Sequence, residues 1–327
     1  LSLKAEAGAT CGESMRGKFL IVIAGLSAAL GSCQREVEKD VVKTAYIHKF
    51  GVRISGDEWA ERGQSGQVIS SLTNGVSLKR TYRNGVLHGP TTYSFPHSQS
   101  VEKEEIYEAG SLLQETVYYS SGMPKEQKKY TDEGLEVFTW YEMGVPKSVE
   151  LYQDRELLQG EYFTLNNDVD SSVDHGNGTK TVRDQFGHLV AQETFKEGYK
   201  ILETTYYPQG MPSAVTPYLD GIVQGQRKTF YPTGEPKTLE TWQHGVQQGI
   251  TISFKNGLKY AETAYVKGKK QGIEKIFRDG LILAEEINWQ NDQKHGPSKI
   301  FVEDQVKVSW FKHGKPTTKS GFLQGDV

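Results

Sequence analysis

Five stretches of this chain share one pattern, aromatic-x-x-Gly-x-x-x-Gly. They are YRNGVLHG from Tyr82 to Gly89, YLDGIVQG from Tyr218 to Gly225, WQHGVQQG from Trp242 to Gly249, YVKGKKQG from Tyr265 to Gly272, and WQNDQKHG from Trp289 to Gly296. The last four follow one another every 23 or 24 residues. A fixed period of this length marks a repeat array, in which each small unit hides its apolar face only by stacking on its neighbours. The aromatics Tyr82, Tyr218, Trp242, Tyr265 and Trp289 each open a unit. The first glycine is Gly85, Gly221, Gly245 or Gly268, and the second is Gly89, Gly225, Gly249, Gly272 or Gly296. In one copy Asp292 stands in the first glycine's place, as an αL position allows.

A second signal lies between these pairs: FYPTG ending at Gly234, FKNG at Gly257, FRDG at Gly280, with YYPQG at Gly210 and YYSSG at Gly122 upstream. Asn-Gly and Asp-Gly supply the positive φ that a tight hairpin needs. Each unit therefore reads as two kinds of turn, one short and one spanning the five residues from first to second glycine. The segments between turns have a strand's length and are too short for helices. Alternation agrees: Ile250, Ile252 and Phe254 point one way, Thr251 and Ser253 the other. The expected fold is all-β, an elongated antiparallel meander of repeated hairpins. Composition fits. The chain has 35 Gly and 17 Tyr but only 36% hydrophobic residues, against about 45–50% apolar in an ordinary globular domain. The repeated aromatics are expected to stack as a spine from unit to unit, supplying the core a thin sheet lacks. A net charge of −3 gives no sign of a nucleic-acid groove.

These residues resemble MORN-type repeats, and most of all the bacterial variant in proteins labelled YwqK-like antitoxins. The resemblance is strong from Tyr206 to Gly314. It is patchy from Tyr82 to Gly160, where YEAGSLLQ (Tyr107 to Gln114) and YEMGVPKS (Tyr141 to Ser148) keep the first glycine and lose the second. It implies an open, twisted sheet of hairpins, no shared catalytic residues, and a role in binding, scaffolding or membrane-linked assembly. The chain divides accordingly into an N-terminal cap at 46–72, degenerate repeats at 73–164, a polar insertion loop at 165–180, and regular repeats at 181–320.

The insertion is the best place for a catalytic or metal site. Asp168, Asp170 and Asp174 are calcium-ligand types and His175 adds a base, but the spacing lacks the glycine of an EF-hand loop. His88, His244, His295 and His313 each precede a repeat glycine and read as turn-formers. No P-loop, zinc-protease, nucleophile-elbow or dinucleotide fingerprint is present. The chain is therefore read as no enzyme, with no cofactor and no metal.

The N-terminal region reads as an address. Arg16 and Lys18 precede an uncharged, mostly apolar run from Phe19 to Leu30, followed by LGSC ending at Cys33. This is the layout of a signal peptide, and the run is shorter than the roughly twenty residues of a membrane-spanning helix. LGSC resembles a bacterial lipobox, which implies cleavage between Ser32 and Cys33 and acylation of Cys33. On this reading 1–14 is an over-extended reading of the gene, 15–32 is the signal peptide, and 33–45 is anchor and tether. Gln34 implies sorting to the outer membrane. The expected partners are the membrane, through acylated Cys33, and an unidentified envelope protein or glycan, with no nucleic acid; the sequence does not fix an oligomeric state. Three classes stay open: an envelope-anchored binding or scaffold protein, an envelope enzyme acting through residues 165–178, and a cytosolic antitoxin-like partner.

Overall fold

The computed structural model describes residues 40–324. Among the described residues strand accounts for 66% and helix for 4%, in one open antiparallel sheet. Consecutive strands pair with one another in chain order, from Val41–His48 through Gly66–Leu72 and Ser77–Arg83 to Gln305–Lys312. With neighbouring strands about 4.7–4.9 Å apart, each two-stranded unit advances the sheet by about 10 Å. The 29 strands among the described residues make a ribbon on the order of 100 Å long.

The two edges of this ribbon favour different turns, although the two-residue kind also closes the second edge at Asn256-Gly257. On the first edge lie the two-residue turns Asn84-Gly85, Asp220-Gly221, His244-Gly245, Lys267-Gly268 and Asn291-Asp292, with both residues at positive φ. That is the type I′ geometry that matches strand twist. The five residues from first to second glycine are thus not one turn, as the sequence suggested. Leu219 and Tyr218 already pair with Ile222 and Val223. The register then slips by two residues before the ladder resumes at Ala214 opposite Thr229. The second glycine sits in that bulge, with φ of 106° at Gly225, 90° at Gly249 and 93° at Gly272. A Cβ on Gly249 would meet only Thr241 carbons at 3.7 and 3.8 Å. Backbone conformation, not space, calls for glycine there. Where the second glycine is missing, after Tyr107, the register slips by one residue instead.

The second edge carries three-residue loops closed by a glycine near φ +85°: Gly122, Gly144, Gly210 and Gly234. The loop tyrosine's N–H donates across the turn, as from Tyr207 to the Met211 carbonyl (2.8 Å), and the glycine N–H returns to the tyrosine carbonyl. YEMG at Tyr141–Gly144 belongs here, not with the Tyr82-type turns it resembles.

Two short helices flank the sheet. Helix α1 (Gly56–Glu61) starts at a capping box formed by Ser55 and Glu58 and buries Trp59 against Tyr46 and Tyr82. It lies within residues 46–72. Helix α2 (Lys319–Leu323) brings Phe322 to 5.3 Å from Trp310. No helix among the described residues is long and apolar enough to cross a membrane.

Two boundaries change. Residues 41–45, expected in the tether, already belong to the first strand. Much of the segment expected as a polar insertion loop is a hairpin of the sheet, with strands Val169–Asp174 and Asn177–Arg183 and a turn at His175-Gly176. Val173, buried beside Leu157 and Tyr162, anchors it, while its polar neighbours occupy exposed positions.

Candidate functional site

The register places Tyr218, Trp242, Tyr265 and Trp289 on one face of the ribbon. The second glycine of each unit lies directly opposite the aromatic of the next: Gly225 faces Trp242, Gly249 faces Tyr265, and Gly272 faces Trp289. Gly89 and Gly296 face Tyr107 and Phe311 in the same way. All four rings are half-buried. They do not form the expected ring-on-ring spine. Among the described residues, no ring pair joins two of these aromatics.

What recurs instead is a trio of aromatic, carboxylate and cation. Trp289 Nε1 donates to Glu274 Oε2 at 2.9 Å, while Lys270 Nζ (2.9 Å) and Thr263 Oγ1 (2.7 Å) donate to Oε1. Trp242 Nε1 donates to Glu240 at 2.8 Å, and Arg227 pairs with the same carboxylate at 3.0 Å. The Tyr218 hydroxyl donates to Glu203 (2.9 Å), which also takes Lys200 (3.3 Å). Glu105 accepts from Tyr93, Tyr107 and Lys103. Glu150 accepts from Tyr152 at 2.8 Å and pairs with Lys180 at 2.7 Å. In three trios the ammonium also covers a ring: Lys103 over Tyr93, Lys200 over Tyr218 and Lys270 over Trp289, at 4.4 to 4.5 Å from the centroid. Glu105, Glu150 and Glu274 are buried. Such charges stay in a folded protein only when paired and hydrogen-bonded.

The pKa shifts follow. Burial alone would raise the Glu274 carboxyl, but the hydrogen bonds and charge of Lys270, with the Thr263 hydroxyl and the Trp289 indole, hold it below the ordinary value. Glu240 is likewise lowered against its burial, by Trp242, Thr238 and Arg227. Burial, then the adjacent Glu150 charge, pushes the Tyr162 phenol strongly up. Tyr162 is 2% exposed, and its hydroxyl has no hydrogen-bond partner. Glu150 Oε1 also lacks one of good geometry, although Lys180 Nζ lies 2.7 Å away. That contact is an ion pair by distance, not an aligned hydrogen bond. A cavity of about 350 Å³ opens beside this pair, between Trp140, Lys147 and Lys180.

The repeat histidines divide into two groups. His244 and His313 sit at positive φ within first-edge turns. His88 and His295 occupy a position filled elsewhere by Gln224, Gln248 and Gln271, whose side chains accept an N–H from the next unit's turn. Gln224 takes His244 N–H at 2.8 Å, Gln248 takes Lys267 at 2.9 Å, Gln271 takes Asn291 at 3.1 Å, and His295 Nδ1 takes His313 at 3.4 Å. Asp292, at φ 65°, holds the left-handed position expected of it and accepts an N–H from Lys270. The acidic residues of the former insertion scatter. Asp170 pairs with Arg183 at 2.8 Å, and Asp174 meets His175 at an exposed turn. Among the described residues no three His, Cys, Asp or Glu side chains group to hold a metal. Ser32 and Cys33 lie outside the described residues.

No family model matches the chain, and no curated protein does. Among solved structures, TcdB2-TccC3 without its hypervariable C-terminal region aligns at 10% identity and a TM-score of 0.18, over 84% of this chain and 17% of that one. TcdB2-TccC3-Cdc42 aligns at 9% identity and 0.14, over 83% and 20%. A porin-like protein from Bacteroides uniformis aligns at 8% and 0.16, over 74% and 89%. The chain thus spans a fifth or less of the length of the first two. At these TM-scores the likeness carries no argument about fold or function.

Proposed function

We propose that this chain is a non-enzymatic binding or scaffold protein of the cell envelope, of MORN-like repeat type, held to the membrane by a lipid on Cys33. The observation that carries the reading is the repeated trio. Side chains that would draw attention as catalytic candidates, a carboxylate beside a cation and a phenol or indole, recur at five places along the ribbon and engage one another in each. A group that recurs at five places along the ribbon reads as a structural component, although the Tyr265 unit lacks it; a catalytic centre is a departure from the repeat. A long single-layer sheet with both faces available also suits an extended partner. The lipid anchor rests on the signal-like run and LGSC.

The test is affinity capture from detergent-solubilised envelopes, using a soluble form that begins at Gln34. The expected result is one envelope component, protein or glycan, retained in stoichiometric amount. Recovery of no envelope component, or location of the native protein in the cytosol, would overturn the reading.

A further inference from the structure

Three second-edge loops lead into a strand that opens with a Pro-Lys pair, at Pro124-Lys125, Pro146-Lys147 and Pro236-Lys237. In each, the ammonium lies 5.6 to 5.8 Å from the centroid of the loop tyrosine: Lys125 over Tyr119, Lys147 over Tyr141 and Lys237 over Tyr231. Stacking makes the first two loops neighbours, because the Tyr119 hydroxyl donates to the Trp140 carbonyl of the next unit at 2.9 Å. Lys125 and Lys147 thereby line the same 350 Å³ cavity.

The charges there are unevenly matched. Glu150 is taken by Lys180 and Glu126 by Lys128 (2.6 Å). Asp184 is occupied by His188 and by the N–H groups of Phe186 and His188. Neither Lys125 nor Lys147 forms an ion pair with a described residue. Burial first, and the Lys125 charge as a further cause, hold the Lys147 ammonium below its ordinary value, against the opposing pull of Asp184. The floor carries the Ser148 hydroxyl, which shares a hydrogen bond with Thr139, and the Thr181 hydroxyl, which accepts from Ser171 and keeps its own proton to donate; the buried Tyr162, whose hydroxyl is unpartnered, also lines the cavity.

We propose that this cavity binds one acidic sugar unit of an envelope glycan, its carboxylate or phosphate seated between Lys125 and Lys147. This deepens the binding reading above and rests on it. The two unpaired ammoniums take the negative group. The half-buried Trp140 offers an apolar surface for the sugar ring, and Ser148, Thr181 and the Glu150 carboxylate meet its hydroxyls. A bare anion uses only the lysines and meets the Glu150 charge. A neutral sugar leaves the two ammoniums uncompensated. A ligand carrying both hydroxyls and a negative group satisfies the whole lining.

The test is titration calorimetry with the full chain in detergent. The probes are four: a uronic-acid tetrasaccharide, a phosphorylated tetrasaccharide, a neutral tetrasaccharide and inorganic phosphate. At least one acidic saccharide should bind, with an affinity that falls as salt rises. It should bind at least tenfold more tightly than either the neutral saccharide or phosphate, and whichever acid binds identifies the anionic group. K125Q/K147Q should weaken that binding tenfold or more while melting like the parent. Lys125→Glu, at an exposed strand position just after the loop, provides a second variant if the double one melts early, and should weaken binding by at least the same factor. The proposal is overturned if neither acidic saccharide binds, if the neutral one or phosphate binds as well, or if the folded variants bind unchanged. Envelope capture repeated with K125Q/K147Q separates the two levels: an unchanged partner would sink this site and leave the scaffold reading standing.

Discussion

Glu274→Ala removes the acceptor at the centre of one trio. Three donors then lose their partner: the Trp289 indole, the Thr263 hydroxyl and the Lys270 ammonium. A neutral hydrogen bond contributes about 1 kcal/mol net and a charged one about 1.5–3 kcal/mol. The Lys270 side chain is 29% exposed and can turn to water, so its share falls to the low end. The expected loss is about 2–4 kcal/mol for Glu274→Ala and about 1–2 kcal/mol for Glu274→Gln, which keeps one acceptor oxygen. The exposed Glu235, changed to Ala, should stay within about 0.5 kcal/mol. Because each unit touches only its neighbours, the damage should be local. Hydrogen exchange should accelerate in the strands Leu258–Val266, Gly272–Arg278 and Ile282–Gln290 and stay unchanged in Val101–Glu108. The pH dependence has a definite sign. The folded pKa of Glu274 is depressed below its ordinary 4.5, so its contribution is present above that value and is lost as pH falls through the folded one. Glu274→Gln should therefore lose less stability on acidification than the parent. Equal loss in Glu274→Ala and Glu235→Ala, or faster exchange spread evenly along the ribbon, would refute the reasoning.

Gly249→Ala should destabilise by about 1–2 kcal/mol through its φ of 90°, whereas Gly245→Asn, at an αL turn position, should cost much less; thermal melts of the two decide it. Tyr231→Phe removes the hydroxyl that donates to the Phe254 carbonyl at 3.0 Å, and should cost about 0.5–1.5 kcal/mol in denaturant unfolding. Cys33→Ala should abolish uptake of a clickable fatty acid and let unprocessed precursor accumulate, while the repeat body keeps its strand spectrum.

The meander could be read from the sequence because its turns are chemical. Asn84-Gly85, Asp220-Gly221 and His244-Gly245 take the positive φ at both residues that a two-residue hairpin turn requires. What escaped was the use of one pattern on two edges. Tyr82 and Tyr141 both open Tyr-x-x-Gly, yet only the latter meets a proline two residues past its glycine, Pro146, and closes the other kind of loop. The buried carboxylates escaped as well. Period-two reasoning sends a glutamate to solvent, but Glu105, Glu150 and Glu274 sit beneath long neighbours that cover them. The hairpin at 169–183 was hidden by composition, since Asp, Asn, Ser and Gly read as loop and Val173 alone marks the inward position. Lys125 and Lys147 became a pair only through stacking, which no local window reveals.

The side-chain staples give the ribbon a direction. On the first edge each unit's turn N–H reaches back to Gln224, Gln248 or Gln271 of the unit before. On the second edge Tyr207 and Tyr231 reach forward, to the carbonyls of Phe230 and Phe254. The two ends are therefore unlike, as with a screw and its nut. One end of a bare array would complement the other end of a second array and not its own kind. Contacts of that sort are head-to-tail, and they continue into filaments unless something stops them. Here the stops are built from residues outside the repeat. At one end Ser65 Oγ takes the Asn84 N–H at 2.8 Å and Trp59 packs on Tyr82; at the other Phe322 packs on Trp310. Among the described residues the two small helices, which contribute little to the sheet itself, pack on its first and last units.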